Sequence, residues 1–316
     1  MSELRIPHSE FRLSSIEVVG LGQASLDFLG KVASFPEEDV KTELESLESQ
    51  CGGPASTALV TLARLGVRTS FLGSISDDPF GQEILRGLED EGVDFSCLTV
   101  RRGFTSQFAF IAISPGGKRT IFWHRGTAPP LRREEVNLSL FRTARVLHLD
   151  GLMMDASLEA ARQARELGWT VVMDGGTLRE GTLDLITLVD TLIVSEGFSK
   201  PLLASDASPE EALEALRKRC SGTVVVTLGA RGSIGLEDGK TFFQEPFPVD
   251  AVDTTGAGDV YHGAYIYGVL QGWKMPESMR FASAVAAMKC RSVGARRGIP
   301  NLDEVMRFLR KPDWDS

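Results

Sequence analysis

Short apolar runs, bounded by glycine and polar turns, recur along the chain at strand length. Ile16–Gly20 (IEVVG) ends in glycine and predicts a buried strand, and Thr69–Ile75 predicts another. Between them, Pro54–Leu65 (PASTALVTLARL) repeats apolar residues at helical spacing. Proline in its first turn and Gly66 as its stop predict a helix. Pro79–Glu91 predicts a second helix, ended by Gly92. Residues 28–50 mix a few apolar positions with Pro36 and a run of acids, and predict no core helix. Gln107–Ile113 (QFAFIAI) and Arg119–Trp123 (RTIFW) flank SPGGK, the chemistry of a hairpin turn.

Beyond residue 127 the alternation becomes regular. Val146–Leu149, Thr170–Met173, Thr191–Val194 and Thr223–Thr227 predict strands, with helical stretches such as Ala156–Leu167 and Pro209–Cys220 between them. Strand and helix in turn predict an α/β fold with a mostly parallel sheet and helices on both faces. Gly232–Leu236 and Lys240–Phe243, joined by Glu-Asp-Gly, predict a further hairpin. Tyr261–Leu270 and Met279–Cys290 predict helices rich in small residues. The stretches 29–50 and 104–126 fit poorly in such a sheet and predict a small β lid over one edge. The large domain then comprises residues 1–28, 51–103 and 127–316, with no repeat or linker.

Composition narrows the function. The chain has 316 residues and a net charge of −9, so its surface repels nucleic-acid phosphates, and no local basic face offsets that. No apolar run reaches the ~18 residues of a membrane helix. The opening MSELRIPHSEFRL lacks an apolar signal core. Cys51, Cys97, Cys220 and Cys290 are scattered without a CxxC pair, which predicts reduced thiols in a cytoplasmic protein. His8, His124, His148 and His262 lack metal-ligand spacing. Gly20-Leu-Gly22-Gln-Ala-Ser25 follows a strand as a dinucleotide fingerprint would, but its third glycine is Ser25. Gly235-Leu-Glu-Asp-Gly-Lys-Thr241 is one residue short of a P-loop and reads as a hairpin turn.

The strongest chemical signal is Asp253-Thr-Thr-Gly-Ala-Gly-Asp259, followed by Val-Tyr-His-Gly263. Thr255–Gly258 is a loop of small residues opening a helix. Consecutive backbone N–H groups at such a point can face an anion, and the helix dipole adds to the attraction. Gly256 and Gly258 carry no Cβ and permit close approach. Asp259 stands beside that pocket, where a carboxylate repels an anionic ligand unless it has a task. The evident task is to accept a proton from a hydroxyl that attacks phosphorus.

DTTGAGDVYHGA resembles the second signature of the PfkB-type, ribokinase-like carbohydrate kinases. The resemblance implies Asp259 as catalytic base and an anion hole at Gly256, Ala257, Gly258 and the Asp259 amide. Four more stretches resemble the family in order, over nearly the whole chain. Val18–Asp27 resembles the opening strand with its sugar-binding Asp, here Asp27. Gly52-Gly-Pro-Ala-Ser-Thr57 resembles the first signature, with Gly53 against the sugar and Thr57 where the family has Asn. Gly116–His124 resembles the second lid strand of ketohexokinase-like members, which implies Arg119 as a clamp on the phosphates, with Trp123 and His124 toward the substrate. Thr227-Leu-Gly-Ala-Arg-Gly232 resembles the turn that bounds the nucleotide, through Thr227, Gly229 and Gly232.

The closing loop, Lys289–Pro300, resembles the one that lines the adenine beside Cys290 and supplies carbonyls to a monovalent cation. The same ion would draw on Asp253 and Thr255, while the family's Ser ligand falls on Gly298. The family's Asn-x-x-Glu, whose Glu organises hydrated magnesium, meets Ser195-Glu196-Gly197-Phe198 here. Ser195 stays a nucleotide contact, and Glu196 is the substitute on offer. The resemblance therefore implies a ribokinase-like fold and transfer of the ATP γ-phosphoryl group to a small sugar or polyol. It brings Mg2+ and K+ as ions, and homodimers joined through their lids. A nucleoside kinase, or a non-catalytic sugar- or nucleoside-binding relative, is the alternative.

Overall fold

The computed structural model describes residues 13–116, 118–203 and 207–310. Residues 1–12 with His8, Gly117, residues 204–206 and residues 311–316 lie outside them. In chain order the first half contains β1 (Val18–Leu21), β2 (Ser25–Lys31), β3 (Ser46–Gly52), α1 (Pro54–Arg64), β4 (Thr69–Leu72) and β5 (Ser74–Ser76). Then come α2 (Pro79–Asp90), β6 (Thr99–Arg101), β7 (Phe108–Ser114) and β8 (Lys118–His124). The second half runs β9 (Val146–Leu149), α3 (Met154–Glu166), β10 (Thr170–Gly175), α4 (Thr182–Ile186), β11 (Thr191–Ser195) and α5 (Glu196–Ser199). It closes with α6 (Pro209–Arg217), β12 (Thr223–Thr227), β13 (Ser233–Glu237), β14 (Lys240–Gln244), α7 (Ala257–Gln271), α8 (Met275–Lys289) and α9 (Leu302–Leu309).

Eight strands form one sheet in the order β14-β13-β12-β11-β10-β9-β1-β4. Its pairings are parallel from β4 to β12 and antiparallel at β13 and β14. Alternate residues feed two cores. Val171 and Met173 join Leu147, Leu192 and Val224 on one face, under α3 and α6. Val172 joins Val146, Ile193 and Val225 on the other, under α1, α7 and α8. Burial on both faces explains the unbroken apolar runs in the sequence.

A second sheet has the order β3-β2-β7-β8. The hairpin at 114–118 joins β7 to β8 in antiparallel register, as the turn chemistry predicts. The sequence pattern marked 29–50 as part of a small β sheet but predicted no individual strand there, because acids and polar residues interrupt β2 and β3. Thr69–Ile75 is not one strand: Gly73 divides it into β4 and β5, and β5 pairs with β6 in a separate two-stranded sheet.

The small residues of α7 serve packing. A Cβ at Gly263 would sit 2.4 Å from Ala58 O of α1, and one at Gly268 would sit 2.4 Å from Ser278 Oγ of α8. These glycines let three helices approach closely and bury α7 on nearly every side. The N-terminus of α7 is thereby held at the carboxyl edge of the parallel strands, where α/β folds gather ligands.

Candidate active site

Strand ends and the mouth of α7 enclose a cavity of about 410 Å³. Its polar wall contains four carboxylates: Asp27 on β2, Asp150 just after β9, Asp174 at the end of β10 and Asp259 in the first turn of α7. Gln23, Gln107 and Arg179 add amide and guanidinium groups, and Phe108, Ile121, Trp123 and His124 come from the small sheet. Of the residues singled out in the sequence, the cavity brings together Asp27, Gly53, Arg119, Trp123, His124, Thr255, Gly256 and Asp259.

Burial is the main force on these carboxylates. It pushes Asp259 up to about 7, with the nearby Asp174 charge adding to the effect and His262 opposing it. Asp150 is pushed up to about 6 by burial, against hydrogen bonds from the Gln23 and Leu152 amides. Burial also raises Asp27 and Asp174, opposed by the Ser25 hydroxyl in the first case and by His262 in the second. An acid held near 7, as Asp259 is, can both accept from and donate to hydroxyl groups.

Glycines make room for the acids. A Cβ at Gly22 would sit 2.1 Å from Asp150 Oδ2, and one at Gly52 would sit 2.0 Å from Asp27 Oδ2. Gly53 has φ +94 and a Cβ there would meet Gln23 O at 2.6 Å, so the backbone itself demands glycine. The two glycines of the α7 loop differ. Gly256 has φ +73 and lies against Ala295, whereas a Cβ at Gly258 would meet nothing within 4 Å. Gly256 is thus required internally, and Gly258 leaves open space at the helix mouth.

The amides of that mouth are unequally used. Ala257 N–H donates to Thr254 O at 3.2 Å, and Val260 N–H begins the helical ladder to Gly256 O at 2.9 Å. The Gly258 and Asp259 amides precede the ladder, as the early amides of any helix do. His262 Nδ1 lies 2.6 Å from Gly258 O and its Nε2 lies 3.5 Å from Asp174 Oδ1, tying the turn to β10. His148 packs at 6.0 Å from the His262 ring, and burial followed by the His262 charge lowers it to about 3, so it stays neutral.

Arg119 is exposed on β8 and donates to Thr254 Oγ1, bridging the small sheet to the α7 loop. Asp253 is fully buried. Its Oδ1 accepts from Thr255 N (2.9 Å) and Thr255 Oγ1 (2.7 Å), and its Oδ2 accepts from Gly294 N (2.7 Å). The Val252 and Asp253 amides donate to Cys290 O, at 2.8 and 3.1 Å.

Other expected residues stand apart from the cavity. Thr57 is fully buried within α1 and does not line it. Ser195 and Thr227 are register partners at the ends of β11 and β12, and Gly229 and Gly232 form the turn that follows. Glu196 is exposed and paired with Arg231 at 2.6 Å, while Phe198 is buried in the core. Asp150, Asp174 and Arg179 were not singled out in the sequence. Their signal was position: each follows or ends a parallel strand at the carboxyl edge, but so do ordinary turn residues.

The sequence profile described as pfkB family carbohydrate kinase matches residues 15–302. The chain belongs to that family. A 5-dehydro-2-deoxygluconokinase from Clostridium perfringens is 26% identical over 318 residues, covering 93% of this chain and 93% of that protein. A Haemophilus influenzae ribokinase is 26% identical, covering 92% of this chain and 97% of its own length. Arabidopsis thaliana ribokinase, solved with ribose and ATP, superposes with a TM-score of 0.82 at 25% identity, over 94% of this chain and 99% of that one. The chain is accordingly a ribokinase-like phosphotransferase of the sugar-kinase type, and the ribokinase-like fold predicted from its motifs is the fold it has. Among the described residues, no helix is long and apolar enough to cross a membrane.

Proposed function

We propose that this sugar kinase transfers the γ-phosphoryl group of ATP to a hydroxyl of a small sugar or polyol, with Asp259 as general base. The observation that carries the reading is the position of Asp259. It lines the cavity, sits at the mouth of α7 beside amides outside the helical ladder, and is held near neutrality by burial. A base with its pKa near the working pH is the most effective. Its carboxylate would take the acceptor proton as the oxygen closes on phosphorus.

The acceptor would lie against Asp27, Asp150 and Asp174, with the side chains of the small sheet above it as a lid. Developing charge on the transferred group would meet the Gly258 and Asp259 amides and the Arg119 guanidinium. The open space beside Gly258 favours this placement. The nucleotide would follow Ser195, Thr227, Gly229 and Gly232 toward Cys290. Lid residues over the cavity would keep water from competing as acceptor.

Magnesium belongs with the nucleotide. Among the described residues no group of three or more His, Cys, Asp or Glu side chains is arranged to hold a metal. That suits an ion that arrives on phosphate oxygens and keeps several of its waters. When bound, it neutralises phosphate charge. Glu196, engaged by Arg231, is the acid nearest in sequence to the family's magnesium position.

ADP release, measured against ketohexoses, pentoses, sugar acids and nucleosides, tests the reading. Turnover with at least one sugar or sugar acid is expected. Turnover with nucleosides alone would move the acceptor to that class, and ADP release with no acceptor in the panel would contradict the proposal.

A further inference from the structure

With Lys289 in place, the family's monovalent cation finds no fitting set of donors among the described residues. Both Asp253 carboxylate oxygens are already engaged, by Thr255 and by the Gly294 amide. The Asp253 carbonyl accepts from Lys289 Nζ at 2.9 Å. Gly298 stands at the Ser ligand's position, and a Cβ there would lie 2.5 Å from Lys289 O and 2.9 Å from Ser292 Cβ. No side chain could occupy that site without moving the loop.

Against the Asp253 carbonyl lies a cationic side chain of the chain's own. Lys289 is the last residue of α8 and its side chain is fully buried. Burial draws its pKa down, and the charge of Asp253 is the main influence drawing it back up. A lone buried ammonium is costly unless charge and hydrogen bonds offset it. Here both come from the segment that leads into α7. The ammonium is a compact point charge with three donors, so it can bind a carbonyl much as a metal ion would.

We propose that Lys289 is a tethered replacement for the monovalent cation. Its ammonium fixes residues 252–255 and supplies the positive charge behind the anion-binding mouth of α7, so the enzyme works without K+. Lys289 acts here as a positioning residue: it reaches the reacting groups only through Asp253 and the loop it anchors. The inference rests on the kinase reading for its catalytic consequence, but not for its ion chemistry.

The test compares the full-length protein in KCl and in choline chloride at equal ionic strength. Thermal unfolding of the wild type without substrate should be the same in both salts, as should its ADP release. Lys289→Ala frees the Asp253 carbonyl and leaves space beside it that an ion can take, so it should unfold earlier in choline and recover in KCl, because an ion that binds only the folded state stabilises it. Its turnover should fall roughly 10- to 100-fold in choline, the scale of a displaced catalytic loop, and recover in KCl. Lys289→Met, which keeps the bulk, should lose turnover in both salts, and Lys289→Arg should retain part of it in both. A wild type whose melting point or turnover rises with K+ would overturn the proposal, even if no variant folds. So would a Lys289→Ala protein that folds and responds to neither salt. The melting arm needs no turnover, so an inactive protein would count against the kinase reading and leave this one standing.

Discussion

The least usual residue of the site is Asp259, an acid held near neutrality by its surroundings. Two outcomes follow from burial raising its pKa to about 7. As the base, it must be ionised, so kcat/KM should rise with pH through a limb centred near 7 and level off above it. A pH profile of ADP release checks this, and a flat profile from pH 5 to 8 would contradict it. The second outcome concerns stability. An acid whose pKa is raised on folding favours the folded state at low pH, and that contribution is lost as pH climbs from the usual carboxylate value toward 7. Asp259→Asn should therefore melt several degrees above the wild type at pH 8. The gain should shrink as pH falls toward 4, where both side chains are neutral.

At the scale of the element, the mouth of α7 combines one glycine needed by the fold with one that leaves space for a ligand. Gly256→Ala forces a side chain into a left-handed backbone conformation and against Ala295. It should cost more than ~1 kcal/mol, seen as a clear fall in the melting temperature. Gly258→Ala meets no neighbour. Its melting point should match the wild type, while kcat/KM falls because the methyl group stands where phosphate is expected to approach. Equal melting losses in the two variants would contradict this division. The loop was legible in the sequence because two glycines, two threonines and two acids in seven residues suit few other structures. The difference between its glycines was not, because it depends on Ala295, distant in sequence and adjacent in space.

Across the whole molecule, the closing loop is bound back to the end of β3 and to α1 by two arginines. Arg296 is buried and donates to Gly52 O (3.1 Å) and Ser56 Oγ (2.8 Å), at the start of α1. Arg64 donates to Arg296 O (2.8 Å) and Ile299 O (2.9 Å), and pairs with Glu91. Losing a buried charged donor leaves its acceptors unpaired, at roughly 1–3 kcal/mol. Arg296→Ala should lower the melting temperature by several degrees and weaken acceptor binding more than nucleotide binding. An unchanged acceptor KM in a destabilised protein would confine Arg296 to the fold.

The α/β alternation was legible because parallel strands buried on both faces write continuous apolar runs. The small sheet was legible only as a β-rich stretch over 29–50, without its individual strands, because β2 carries Asp27 of the cavity and β3 mostly solvent-facing polar residues. Asp27 and Asp259, which line the cavity, were singled out through motifs. Asp150 and Asp174 were not, since an acid at the end of a strand takes its meaning from the strands beside it. Lys289 entered the sequence reading only as the start of the closing loop, because its partner Asp253 is adjacent in space and not in sequence.

The central claim is that Asp259 takes the proton from the acceptor. The most direct measurement is the single-turnover rate of ADP formation, with the best acceptor found, for the wild type and Asp259→Asn. The account predicts a ~10²–10⁴-fold slower rate in the variant, nucleotide affinity little changed, and no pH limb near 7. A variant that keeps the wild-type rate would contradict it.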